Sequence, residues 1–271
     1  MNILMSSDIA TYTGLELAIY TIMAHNKNVN FYIMTMDIEI DNPELCAIRC
    51  YKGLVDWQKD KLRTIVRYFD KNSRITFIDA KSFYLKYLDG GPNKYSAFTP
   101  YATLRLAADL ILPEVDHVLY LDCDVAVTGN ISGVYHDYIN RDCDYAAWIA
   151  KGARDGKGEM ISGVMILNLD RIRQSGLLSN ARKNYLTNSY VFPDQHAIED
   201  AGKAEPLPFN FGYCEDLEEC TELPLVIHFT NRISPKIYEN KKNIRTIFFR
   251  KYPFLKYADD GIHLLDTINF K

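Results

Sequence analysis

The apolar run Val118-Leu119-Tyr120-Leu121 stops at Asp122-Cys123-Asp124 and resumes as Val125-Ala126-Val127. Apolar residues between polar flanks predict a buried strand, and two carboxylates at its carboxyl end are costly to bury unless a cation offsets them. In strand geometry residues 122 and 124 share a face, so both can hold one hard, oxygen-loving ion, and such an ion can neutralise a diphosphate. Further on, Leu225-Val-Ile-His228 is a second apolar strand ending in an imidazole. Two carboxylates with one imidazole form a mixed oxygen and nitrogen set that suits Mn²⁺ better than Mg²⁺ or Ca²⁺.

The elements that must position these groups alternate along the chain. Asn2 to Ser6 is a strand running into Asp8, residues 14–24 a helix, 29–36 a strand, and 74–78 another strand. Asn42-Pro43 is expected to start a helix reaching Tyr51, with a further helix inside 54–69. Residues 101–111 are expected to form a helix stopped near Pro113, followed by the strand that carries the acidic pair. Val164 to Leu169 is a later strand. This alternation predicts an open α/β fold with a mainly parallel, mixed central sheet, whose ligands bind outside the carboxyl ends of the strands, where Asp8 and Asp122 fall.

The 271 residues are 48% hydrophobic and 24% charged, with a formal charge of −4, enough for one large domain over residues 1–240 and a C-terminal segment over 241–271. That balance offers no basic field, so nucleic acid is not an expected partner. No apolar stretch approaches the roughly 20 residues that cross a bilayer, and no signal peptide is read at the start, so a cytoplasmic location is expected. The six cysteines are read as free thiols. Cys46 and Cys50, four apart on the expected helix, fit a buried helical face better than a zinc site.

Within 241–257 lie six basic and five aromatic residues and no acid. Such a segment either packs on the domain or docks peripherally on an anionic membrane. The glycine-rich stretch 151–159 is either a plain connection or a lid. Glu159, Glu215 and Asp216 are expected to be surface charges.

Six ordered matches make the sequence resemble the family 8 retaining glycosyltransferases, which include bacterial lipooligosaccharide galactosyltransferases and glycogenin. They are the strand ending at Asp8, Arg105-Leu106 with Leu112-Pro113, Val118 to Asp124, Gly163 to Leu169, Asp194-Gln195 and His228-Phe-Thr. The resemblance implies a GT-A fold using a UDP-sugar donor and Mn²⁺, with Mg²⁺ as the alternative ion. Asp122, Asp124 and His228 would hold the metal. Ser6, Asp8 and Tyr12 would hold the uridine, with Tyr12 stacking on the base. Arg105, Cys123, Asn231 and Lys236 complete the expected donor-binding set, with Arg232 the alternative to Lys236. Asp194 would bind donor-sugar hydroxyls and Gln195 would lie beside the anomeric carbon, so Gln195, Asp194 and Arg105 are the expected catalytic set. Where some members carry an asparagine, two residues before the glycine, this chain has Ile161.

Three of these residues also carry plainer readings. Asp8 could close a strand-end turn, Arg105 could pair with Asp109 one helical turn on, and Asp194 could cap a helix behind Phe192-Pro193. The function implied is transfer of galactose or glucose from a UDP-hexose to a glycan or glycolipid acceptor, in bacterial surface polysaccharide or lipopolysaccharide synthesis. A metal-dependent sugar-nucleotide hydrolase, a nucleotidyltransferase and a non-catalytic glycan- or nucleotide-binding scaffold are the competing readings.

Overall fold

The computed structural model describes residues 1–42, 47–150, 159–214 and 223–229. The chain opens with β1 (Asn2–Ser6), α1 (Tyr12–His25) and β2 (Asn30–Thr35), then β3 (Ile38–Asn42), β4 (Ala47–Tyr51), α2 (Asp56–Phe69), β5 (Arg74–Asp79) and α3 (Lys81–Tyr87). Next come α4 (Pro100–Thr103), a 3₁₀ turn (Leu104–Ala107), α5 (Ala108–Ile111), β6 (His117–Leu121), β7 (Val125–Val127), α6 (Ser132–Ile139) and β8 (Tyr145–Ala150). The later elements are β9 (Glu159–Asn168), α7 (Leu169–Ser175), α8 (Leu177–Thr187), α9 (Pro193–Ala201), β10 (Glu205–Pro206), β11 (Phe211–Cys214) and β12 (Val226–His228).

Seven strands form the central sheet in the order β10-β8-β9-β6-β1-β2-β5. Pairs β6–β1, β1–β2, β2–β5 and β10–β8 are parallel, whereas β9 runs antiparallel to both β6 and β8. The alternation along the central strands explains why they read as unbroken apolar runs. Ile3, Met5, Leu119 and Leu121 enter the core with α1, α2 and α6, while Leu4, Val118 and Tyr120 enter the opposite core with the 3₁₀ turn, α8 and α9. A strand buried on both faces has no polar face to show. Each fully buried aliphatic side chain contributes on the order of 2 kcal/mol.

Two expectations about local structure are corrected. Where a helix was expected from Asn42 to Tyr51, residues 42 and 47–51 are extended: they lie in β3 and β4, paired antiparallel with Ile38 opposite Tyr51 and Ile40 opposite Arg49. Ile38 and Ile40 are buried and Glu39 and Asp41 exposed, a period of two that outweighs the helix-start signal of Asn42-Pro43. Cys50 is an exposed free thiol on β4, so helical spacing from Cys46, which lies outside the described residues, does not apply.

The expected helix over 101–111 is broken in the middle by the 3₁₀ turn that carries Arg105. Its Nε donates to the Ala102 carbonyl at 2.8 Å while its other nitrogens reach other elements, which holds the turn tight. Asp109 pairs with Arg182 of α8 at 2.6 Å rather than with Arg105, tying the broken segment to the helix behind it.

Candidate active site

β1 and β6 are neighbours, so the loops leaving their carboxyl ends face one crevice. A cavity of about 280 Å³ opens there. Ser6, Thr11, Thr13 and Gly14 form one wall, Thr99, Tyr101, Ala102 and Arg105 another, and Asp122, Cys123 and Asp124 line it as well. Gly14 is required at its place, because a Cβ there would sit 2.6 Å from the Cys123 carbonyl oxygen. The first turn of α1 therefore packs directly on the acidic loop.

Pairing brings the remaining groups to the same end. In β12, which runs antiparallel to β7, His228 sits opposite Val125, and the Phe229 N–H donates to the Asp124 carbonyl at 2.9 Å. His228 Nε2 is 3.1 Å from Asp124 Oδ1 and 3.7 Å from Asp122 Oδ2. One ligand atom from each of the three residues lies within 4.8 Å of the other two. Burial alone would lower the pKa of His228, but Asp124 above all and then Asp122 hold it above the ordinary imidazole value. Asp122 is pushed above the usual carboxylate range by desolvation, against the pull of Arg105 and His228.

Two carboxylates crowded against the His228 Nε2 fit a divalent cation, which would offset their mutual repulsion. Gly163 lets the ring in. A Cβ there would stand 2.7 Å from both ring nitrogens of His228. These three residues would hold the ion.

Arg105, 3% exposed, is the hub behind the acidic loop. It pairs with Asp122 at 2.6 Å and Asp194 at 3.1 Å and donates to both the carbonyl and the hydroxyl of Ser162, at 2.6 and 2.7 Å. Its guanidinium lies 4.4 Å from the centre of the Tyr120 ring, and the Tyr120 hydroxyl donates to Asp122 at 2.8 Å. Burial opposes the charge of Arg105, yet Asp122 and Asp194 raise its pKa beyond the ordinary arginine value.

α9 begins with Pro193, whose missing N–H suits a first helical turn. Phe192 is the N-cap, so Asp194 is not the cap that its sequence context suggested; its carboxylate instead accepts from the Ser162 hydroxyl at 3.2 Å. Gln195 accepts from the Ser162 N–H and donates to Glu159, each at 3.2 Å.

The other expected residues divide. Ser6 lines the cavity and its hydroxyl donates to the Tyr101 carbonyl at 2.9 Å, while the Cys123 thiol donates to the Ser6 carbonyl at 2.8 Å. Burial pushes that thiol up, which keeps it a neutral donor. Asp8 Oδ1 accepts from the N–H and hydroxyl of Thr11, both at 2.8 Å, so it closes the strand-end turn and is not on the cavity wall. The Tyr12 ring is buried against Trp57, 5.5 Å between centroids, and is not among the residues lining the cavity. The preceding residue, Thr11, presents the cavity wall instead.

Glu159 is corrected as well. It is no surface charge but is 17% exposed, between Gln195 and His196. Asp194, Gln195 and His228 lie behind the wall, joined to it through Arg105 and the acidic pair. Asn231, Arg232, Lys236, Glu215, Asp216, residues 151–158 and residues 241–257 are outside the described residues.

Ser162, Tyr120 and Glu159 bond directly to the candidate residues, and the sequence reading did not pick them out for this. Tyr120 carried a signal, standing two residues before Asp122 on the same strand face. Ser162 and Glu159 reach the site only through the β6–β9 register, in which Leu121 pairs with Val164 and the Asp122 N–H donates to the Gly163 carbonyl.

The chain matches the Glycosyl transferase family 8 model over residues 2–233, and it belongs to that family of enzymes. It is 28% identical over 248 residues to Glycosyltransferase GlyF of Streptococcus pneumoniae serotype 4, covering 86% of this chain and 56% of GlyF. Among solved structures, the bifunctional glycosyltransferase WbbM in its apo form superposes with a TM-score of 0.66 at 15% identity, over 87% of this chain and 46% of WbbM. The galactosyltransferase LgtC, solved with donor and acceptor sugar analogues, superposes with a TM-score of 0.63 at 14% identity, over 95% and 96% of the two chains. The fold is therefore GT-A. The chain spans about half the length of GlyF and of WbbM.

Proposed function

We propose that this chain moves a hexose, galactose or glucose, from a UDP-sugar to a glycan or glycolipid acceptor with retention of configuration, in the synthesis of a bacterial surface polysaccharide or lipopolysaccharide. The observation that carries this reading is the convergence of Asp122, Asp124 and His228 beside a cavity at the carboxyl ends of β1 and β6. Family membership and the likeness to a galactosyltransferase support the same reading. The ion proposed is Mn²⁺, with Mg²⁺ as the alternative; bound there, it would supply Lewis-acid stabilisation of the charge that builds on the leaving diphosphate.

The chain's own residues supply the rest. Ser6 and the turn that Asp8 closes would receive the nucleoside, with Cys123 behind them. Arg105 commits four of its five N–H groups to Ala102, Ser162 and Asp122, which leaves one for the donor. Its main task is thus to hold Asp122 and Asp194 apart and in place. Asp194 and Gln195, set behind Arg105, would complete the donor-sugar side of the site, while Lys236 or Arg232, with Asn231, would neutralise the diphosphate.

The acceptor oxygen forms its bond to the anomeric carbon as the bond to the β-phosphate oxygen breaks, and the hydroxyl proton passes to that phosphate. No separate carboxylate base is then required. Among the described residues no helix is long and apolar enough to cross a membrane; a peripheral contact at the cytoplasmic face through residues 241–257 is part of the proposal.

The test is a donor panel of UDP-galactose, UDP-glucose and their N-acetyl forms with Mn²⁺ and a mixed oligosaccharide acceptor, read by mass spectrometry and by the anomeric coupling of the product. An α-linked hexosyl product is expected. Hydrolysis alone across the panel would favour the hydrolase, and β-linked product would refute retention.

A further inference from the structure

Gln195 is held at both ends of its side-chain amide. Oε1 accepts from the Ser162 backbone N–H, and Nε2 donates to Glu159 Oε1, each at 3.2 Å. The two neighbours have opposite polarity: a backbone N–H can only donate and a carboxylate can only accept. A flipped amide would set donor against donor and acceptor against acceptor, so the neighbours' chemistry fixes the orientation.

The same Ser162 gives its hydroxyl to Asp194 and receives Arg105 on both hydroxyl and carbonyl. Glu159 also faces His196 Nε2 at 3.6 Å, which places it between two consecutive residues of the first turn of α9. Ser162 is buried and Glu159 nearly so, and both sit at the start of β9.

We propose that Glu159 and Ser162 are positioning residues of the transferase site, clamping the Gln195 amide in one orientation and in register with Arg105 and Asp194. The inference rests on the reading of Asp194 and Gln195 as part of that site. A free glutamine side chain samples several rotamers, and without the clamp that freedom would be lost anew at each turnover. The clamp takes that loss once, in folding.

The experiment uses the full chain with Glu159→Leu, Glu159→Gln and Ser162→Ala. In ¹H–¹⁵N spectra the Gln195 side-chain pair, assigned by its disappearance in Gln195→Met, is expected to show one proton shifted downfield and protected from exchange. Glu159→Leu should return that proton to the free-amide position and lower kcat about tenfold to a hundredfold, with the donor KM within about threefold. Glu159→Gln keeps an acceptor oxygen, so it should restore most of kcat with a smaller downfield shift, because the bond is no longer charge-assisted.

Ser162→Ala keeps the N–H, so it should leave the Gln195 signals in place while kcat falls. Free-amide Gln195 signals in the wild type, or a Glu159→Leu protein with wild-type signals and kcat, would overturn the clamp. Should Glu159→Leu not fold, an unchanged Gln195 shift in Glu159→Gln would overturn it equally. A wild type that binds no UDP with metal and transfers nothing would refute the functional reading, while the Gln195 signals would still decide the clamp.

Discussion

At the residue scale the site is a set of charges that are tolerable only together. Arg105 is buried against Asp122 and Asp194 and bonded twice to Ser162. Lysine carries the charge but only a compact ammonium, which cannot span a serine and two carboxylates at once. Arg105→Lys is therefore expected to lose about a hundredfold or more in transfer rate and to melt several degrees lower, measured by steady-state kinetics and by calorimetry. Gly163→Ala addresses the proposed metal ligands from the other side. Its methyl group would occupy the space of the His228 ring, so metal-dependent UDP binding should be lost even where the protein still folds, which isothermal titration would show. The acidic pair was legible in the sequence because its signal is local, two aspartates two residues apart at the end of an apolar run. Arg105 was visible as a residue, but its partners were not, since the nearest carboxylate in sequence, Asp109, belongs to Arg182. Ser162 and Glu159 carried no sequence signal, because an antiparallel register between strands about 40 residues apart brings them to the site.

At the element scale, the strands that were legible are those buried on both faces, where composition alone declares them. β6 is the clearest of these, and Leu119 on it is fully buried beside β1. Leu119→Ala is expected to cost about 2–5 kcal/mol, read as a lower denaturant midpoint with an unchanged slope. The β3/β4 hairpin was misread because Asn42-Pro43 resembles a helix start, while the alternation that decides it begins four residues earlier at Ile38. Capping also sets the acid response of the α2 end. Asp70 accepts from the Asn28 N–H at 2.8 Å, the Ser73 hydroxyl at 2.7 Å and the Asn72 N–H at 3.1 Å, and the Asn28 bond, the largest cause, holds its carboxyl below the usual range. Asn28 itself adopts φ 55°, a left-handed turn that this bond secures. A lowered folded-state pKa means stability present above the unfolded value near 3.9 and lost as pH falls through the lower folded value. Asp70→Asn should thus melt about 2 °C below wild type at pH 7, with the difference closing as the pH falls through the lowered folded-state value, as followed by circular dichroism.

At the scale of the whole molecule, the fold delivers residues from six separate stretches to one crevice, the segment through α4 and the 3₁₀ turn bringing Arg105. β1 and β6 are parallel neighbours, β9 returns beside β6, β12 pairs with β7, and α9 lies over the start of β9. The alternation of strands and helices made the α/β class and the crevice legible. The sheet order and the small β11-β12-β7 sheet were not, since no local pattern specifies which strand pairs with which. The central claim is that Asp122, Asp124 and His228 form a metal site that receives a nucleoside diphosphate. The measurement that tests it most directly is calorimetric titration of UDP with and without Mn²⁺, on the wild type and on Asp124→Ala. Binding that requires Mn²⁺ in the wild type and is lost in Asp124→Ala is the predicted result; binding of UDP without metal, or equal binding by both proteins, would contradict the account.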